Sequence, residues 1–103
     1  MRFLIKVTIP NEAANALARK GALGSTIGRM VEELKPEAAY FTEIDGKRTG
    51  FLIVNMDETS QIPRIAEPFF IGLNAKVEFH PVMLPEDLQR AAPDIDRAAK
   101  AWG

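Results

Sequence analysis

Apolar and polar positions alternate from Arg2 to Ile9. Phe3, Ile5, Val7 and Ile9 point one way, and Leu4, Lys6 and Thr8 the other. A period of two predicts a strand with one well-buried face, and Pro10 ends it. Glu12 to Lys20 is Ala-rich and favours helix. Asn11 stands where it can cap that helix, with Glu12 near its positive end. Gly21 and Gly24 interrupt the pattern. Ser25 or Gly24 can start a second piece, on which Leu23, Ile27, Met30, Val31 and Leu34 form an apolar stripe. Pro36 stops it, so residues 12–35 are expected to form one broken helical connection.

Ala38 to Met56 carries the strongest local signal. Asp45-Gly46 separates two alternating runs, near 38–45 and 48–56, and both central positions of a two-residue hairpin turn need φ > 0. Such a turn pairs Ile44 with Lys47, Glu43 with Arg48, Thr42 with Thr49, Phe41 with Gly50, Tyr40 with Phe51 and Ala39 with Leu52. One face then holds Ala39, Phe41, Gly50, Leu52, Val54 and Met56, and belongs under the helices. Glu43 and Arg48 are expected to form a surface ion pair near the tip, of a kind that adds little stability.

Asp57 to Ser60 supply helix-start residues, and Pro63 suits a first turn. Pro68 is expected to break or kink the helix near Glu67. Phe69 and Phe70 lie about 100° apart, so one can enter the core while the other faces a cavity mouth or a partner. A last strand from about Ala75 to Val82 turns Val77 and Phe79 one way and Lys76, Glu78 and His80 the other. Pro85-Glu86-Asp87 opens a helix, and the tail to Trp102 is helical in pattern but punctuated by Pro93. Ile95 and Ala99 stand behind Trp102 at helical spacing, which fits either packing on another subunit or a frayed end.

The order strand, helix, strand, strand, helix, strand, plus a C-terminal helix, is the ferredoxin-like α+β plan. One domain over residues 1–103 is expected, with a helical tail over about 85–103 and an antiparallel sheet in the order 4-1-3-2. Two helices cover one face. Pro81 suits this order, because the fourth strand is an edge where a missing N–H is tolerated.

Composition narrows the picture. A chain of 103 residues makes one domain and buries roughly 60–70% of its unfolded surface, enough for a modest core. The absence of cysteine excludes disulfides, thiolate chemistry and cysteine zinc sites, and fits a reducing cytoplasm. The apolar patch at Phe3-Leu4-Ile5 is cut by Lys6 and is too short for a signal-peptide core. No apolar run approaches the roughly 20 residues that span a bilayer, so a cytoplasmic protein with no membrane partner is expected. Lys and Arg total 13 and Asp and Glu 14, scattered along the chain. Without a basic block, the electrostatic footprint of nucleic-acid binding is missing. The near-zero net charge does not oppose self-association.

The second face of the sheet draws attention. It holds Tyr40, Thr42, Thr49, Phe51, Ile53 and Asn55, joined by Leu4, Lys6, Thr8, Lys76, Glu78 and His80. That is too apolar to be left wet and too polar for a monomer core. Exposed apolar sheet faces mark interfaces or ligand sites. The expectation is a homodimer whose two sheets close face to face around a lined cavity.

Several stretches carry a resemblance. Glu33-Leu34-Lys35-Pro36-Glu37-Ala38-Ala39-Tyr40-Phe41, with Glu43-Ile44-Asp45-Gly46-Lys47-Arg48, resembles a group of short bacterial proteins of unassigned function. Ser60-Gln61-Ile62-Pro63, Ala66-Glu67-Pro68-Phe69 and Phe79-His80-Pro81-Val82-Met83 are similar to that group too. The likeness spans about residues 2–92. The layout also looks like the dimeric α/β-barrel superfamily, which includes muconolactone isomerases and small cofactor-independent monooxygenases. That resemblance implies paired ferredoxin-like protomers; it carries no catalytic motif onto any residue here.

His80 is the only histidine, the residue type suited to moving protons near neutral pH. It reads as a proton shuttle in the cavity or as an edge residue bonded to a neighbour. Glu78 can partner His80 or Lys6, as an acid–base set or as dimer salt bridges. Tyr40 offers a ring and a hydroxyl to a ligand, or packs on Phe51. Asn55 can fix a substrate carbonyl or simply end a strand, and Thr42 and Phe51 line the same face. One histidine without cysteine or clustered carboxylates leaves no metal motif. Gly21, Gly24 and Gly28 do not form a phosphate loop, and Ser25 and Ser60 lack a nucleophile frame. No cofactor is expected. Two functions stay open: a cofactor-independent isomerase, cyclase or oxygenase of a small organic substrate, or a non-catalytic ligand-binding or assembly module. In the first, His80 is the acid/base and Glu78 and Lys6 tune it, with Tyr40, Thr42, Phe51 and Asn55 at the substrate.

Overall fold

The N-terminal alternation becomes strand β1 (Arg2–Ile9) in a computed structural model that describes residues 1–103. Ile5, Val7 and Ile9 are buried, and Leu4, Lys6 and Thr8 are half-buried on the other side. β1 pairs antiparallel with β3 (Lys47–Asn55) and β4 (Lys76–Pro81), and β3 pairs with β2 (Ala38–Ile44). The sheet order β2-β3-β1-β4 is the expected ferredoxin-like order read from the other edge. Asp45 and Gly46 have φ of 54° and 75°, the two positive values that the tight turn demands. The hairpin register agrees with the reading pair by pair, from Ile44 opposite Lys47 to Ala39 opposite Leu52.

Helices α1 (Asn11–Arg19), α2 (Leu23–Leu34) and α3 (Ile62–Leu73) pack on the apolar face. Ile5, Val7, Leu52 and Val54 of the sheet meet Ala14, Ile65, Phe69 and Leu73 of the helices. Burying each of the larger side chains contributes about 1.5–3 kcal/mol. Phe3 and Phe79 meet edge to face, with centroids 6.5 Å apart, beside this core. The connection between α1 and α2 is broken as expected, at Gly21 with φ of 70°. Lys35 then takes a left-handed conformation before Pro36, because proline disfavours the helical region for the residue ahead of it.

Local details depart from the sequence reading. Asn11 does not cap α1; it is the helix's first residue, and its side-chain amide donates to the Gly46 carbonyl at 3.1 Å. α2 starts at Leu23, ahead of Gly24 and Ser25. Glu43 and Arg48 stand opposite each other without pairing. Glu43 accepts the Gly46 N–H at 3.0 Å, and Arg48 donates to Asn15 Oδ1 at 3.0 Å. Each has a nearer partner than the exposed charge across the ladder. Of the expected break or kink at Pro68, the break does not occur: α3 runs through it. Burial of Ile65, Ala66, Phe69 and Leu73 outweighs the roughly 3 kcal/mol that an interior proline costs. Phe69 is buried and Phe70 exposed. Phe41 lies on the helix side beside Ile27 and Val31, yet stays 56% exposed because β2 is an outer strand.

A fourth helix, α4 (Pro85–Trp102), buries no residue. It draws the molecule out to 58 × 29 × 20 Å with a radius of gyration of 17.3 Å, against about 13 Å for a compact chain of this length. The accessible surface is 7172 Å² for 11.4 kDa, where a compact monomer exposes roughly 5,800 Å². No helix is long and apolar enough to cross a membrane.

Candidate ligand site on the open sheet face

The side of the sheet away from the helices is a grid set by the strand registers. One row runs Tyr40, Phe51, Lys6, Glu78, with one residue from each strand. The next runs Ala38, Ile53, Leu4, His80, and on the other side lie Thr42, Thr49, Thr8 and Lys76. Neighbours within a row stand about 4.8 Å apart, and rows are about 6.7 Å apart. The centre is apolar, made by Leu4, Phe51 and Ile53. The β4 edge carries the charges, and the β2 edge carries Tyr40, which is 67% exposed.

Glu78 sits between the other two ionisable candidates. Its Oε2 lies 3.8 Å from Lys6 Nζ, and its Oε1 lies 3.9 Å from His80 Nε2. These distances give charge proximity without direct hydrogen bonds, so both carboxylate oxygens can accept from a further donor. The strand pairing causes the cluster: Lys6 is directly opposite Glu78, and His80 follows two residues later on the same face. Thus the structure brings together Lys6, Glu78 and His80, with Phe51 next to Lys6. Tyr40 lies three strands from Glu78, and Thr42 one row further on.

Asn55 belongs to a different group. Its Oδ1 accepts from the Met1 amino group at 2.9 Å, and its amide donates to Glu37 at 3.4 Å. Arg2 Nε donates to both Glu37 oxygens, at 3.1 and 2.9 Å, and these bonds raise the Arg2 pKa. Sequence reasoning missed this cluster, although Arg2 shares the parity of Leu4 and Lys6 and Glu37 directly precedes β2. Thr49 is buried despite facing outward. It is short, it stands between Thr8 and Thr42, and its hydroxyl donates to the Lys47 carbonyl at 3.1 Å.

The sizeable clefts lie at the rim of this grid. One of about 490 Å³ opens beside Thr8, Asn11, Lys47 and Lys76, another of about 230 Å³ lies between Gly24, Ile27, Phe41 and Thr42, and a third of about 500 Å³ lies beyond the end of β4 between Pro81, Val82, Met83 and Leu88. His80 with Glu78 offers two metal ligands, one fewer than catalytic zinc sites use, and no group of three His, Asp or Glu converges in the chain. The arrangement suits proton exchange and the holding of an anionic or carbonyl group beside an apolar surface.

A family model described as a domain of unknown function, DUF3303, matches residues 1–95. The chain belongs to the DUF3303 family. A comparison with curated proteins found no match. For this DUF3303 protein the functional reading therefore rests on the open face itself.

Proposed function

We propose that the protein is a homodimer of the dimeric α/β-barrel type, whose two sheets stack face to face around a compartment for a small, partly apolar organic molecule. The observation that carries this reading is the uncovered apolar centre of Leu4, Phe51 and Ile53, bordered by Lys6, Glu78 and His80. No element of the chain covers that face. Stacked sheets stand about 10 Å apart. Ala38, Thr8, Thr42 and Thr49 are short enough to leave room in that layer, while Lys6, Glu78 and His80 reach into it. Lys6 attracts an acidic or enolic oxygen, and Glu78 and His80 exchange protons with the neighbouring carbon or oxygen. The chemistry is proton transfer on a small organic substrate, as in an isomerisation or cyclisation.

Thermal shift with a series of small aromatic hydroxy acids tests this. A ligand at a hundred times its Kd stabilises by about 2.7 kcal/mol, a rise of roughly 10 °C or more for a domain of this size. Lys6→Met and His80→Ala are expected to abolish that rise. A wild type that is monomeric at micromolar concentration by light scattering removes the reading. The second reading, a non-catalytic assembly module, is favoured by the placement of Glu78 between Lys6 and His80, which balances charge within one chain. It predicts that Glu78→Gln weakens the dimer and that no compound shifts the melting temperature.

A further inference from the structure

α4 is amphipathic, and no residue of its apolar side is buried. Leu84, Leu88, Ala91, Ile95, Ala98 and Trp102 follow at alternating spacings of four and three. At about 100° per residue they share an arc roughly 80° wide. Asp94, Asp96, Arg97 and Lys100 fall outside it, and Arg90 and Arg97 pair with Asp87 and Asp94 along the helix. Leu88 is 50% exposed, Ile95 55% and Trp102 90%. Pro93 stands opposite the stripe, so a bend there curves the helix around whatever the stripe covers.

Position and area identify the occupant. The Val82 N–H donates to the Arg2 carbonyl at 3.2 Å, and the charges of Glu86 and Asp87 act on the Arg2 guanidinium. α4 therefore leaves the sheet at the Arg2 end of the open face. Four strands of about eight residues offer a face of roughly 500 Å², or roughly 1,000 Å² from two copies, only the threshold for a specific interface. The surplus surface of the chain is larger, about 1,400 Å². Two copies then supply roughly 2,800 Å², within the range of obligate homodimers. A two-fold axis along the strands sets β4 of one copy over β2 of the other. A two-fold axis across the strands instead stacks β4 on β4, laying the charged edge of Lys76, Glu78 and His80 against its own copy. β2 is the free edge on which Tyr40 and Phe41 stand exposed on opposite faces.

We propose that α4 is an exchange arm whose apolar stripe packs against β2 of a second copy, so that each protomer walls the side of the other's compartment. The inference rests on the face-to-face pairing proposed above. Its length of about 27 Å is enough to pass β2, which is about 23 Å long.

The chain contains no cysteine, which makes cross-linking clean. Full-length Tyr40→Cys and Ile95→Cys chains, both altered at exposed positions, are mixed and mildly oxidised. Disulfide-linked heterodimer is expected in at least about tenfold excess over either homodimer. Abundant Ile95→Cys homodimer means that the arms pair with each other, and overturns the inference. So does a wild-type dimer in which acrylamide quenches Trp102 as freely as it quenches N-acetyltryptophanamide; the face-to-face reading survives that result. A monomer by light scattering removes both.

Discussion

Asp87 holds the root of α4 with a single carboxylate. Its Oδ2 accepts the Leu84 N–H at 2.9 Å, and its Oδ1 pairs with Arg90. The backbone bond first and the Arg90 bond second hold its pKa below the usual carboxylate range. A depressed folded pKa contributes stability that is present above the unfolded value, about 3.9, and is lost as pH falls through the folded one. The first turn of α4 should therefore fray only below about pH 4, seen as faster amide exchange at Leu84 and Leu88. Asp87→Asn should show the same fraying at neutral pH, and unchanged exchange in that variant would remove the cap. The turn residue Gly46 gives a second test. Its φ of 75° suits glycine, so Gly46→Ala should cost about 1 kcal/mol in denaturant unfolding. A loss near zero would mean that the turn tolerates a side chain. These two residues also mark what was legible. Asp45-Gly46 declared its turn because few residues accept positive φ. Asn11, Glu43 and Arg48 each had several partners within reach, separated by tenths of a kcal/mol, and adjacency in a register does not choose among them.

The strands were legible as elements because a period of two has one interpretation once the turn is set. Leu52 is buried under the helices, and Phe51, one residue earlier, faces the open side. Leu52→Ala should cost about 2–5 kcal/mol without altering how chains associate. Phe51→Ala should cost the isolated fold much less and weaken dimerisation instead. Chemical denaturation at low concentration and light scattering at high concentration separate the two. Equal losses in both assays would break the assignment of faces. The same register places Lys6, Glu78 and His80 together from the sequence alone, because parity and strand order suffice for that. It could not foresee the engagement of Asn55, which depends on how the Met1 amino group and Glu37 meet at the sheet end. Nor could it foresee the continuity of α3 through Pro68. Local propensity argues for a break there, and burial on the sheet, a tertiary effect, decides otherwise.

At the scale of the whole molecule, two apolar surfaces remain without a partner within the chain: the open sheet face and the stripe of α4. A chain of this size buries too little to leave both wet, as its 7172 Å² of accessible surface indicates. If a second copy covers them, folding and association are one equilibrium, and stability depends on protomer concentration. For a two-state dimer of two 103-residue chains, each tenfold rise in concentration should lift the melting temperature by roughly 3 °C. Calorimetry between about 2 and 200 μM would then show a total rise of roughly 6–7 °C. Removal of residues 86–103 should lower the melting temperature at every concentration and weaken association, because the arm's share of the interface is gone. The shortened chain still has the sheet face, so some concentration dependence should remain in it. A full-length melting temperature that does not move with concentration would mean that the fold stands alone. The open face would then be a surface, and Lys6, Glu78 and His80 would have no enclosure in which to act.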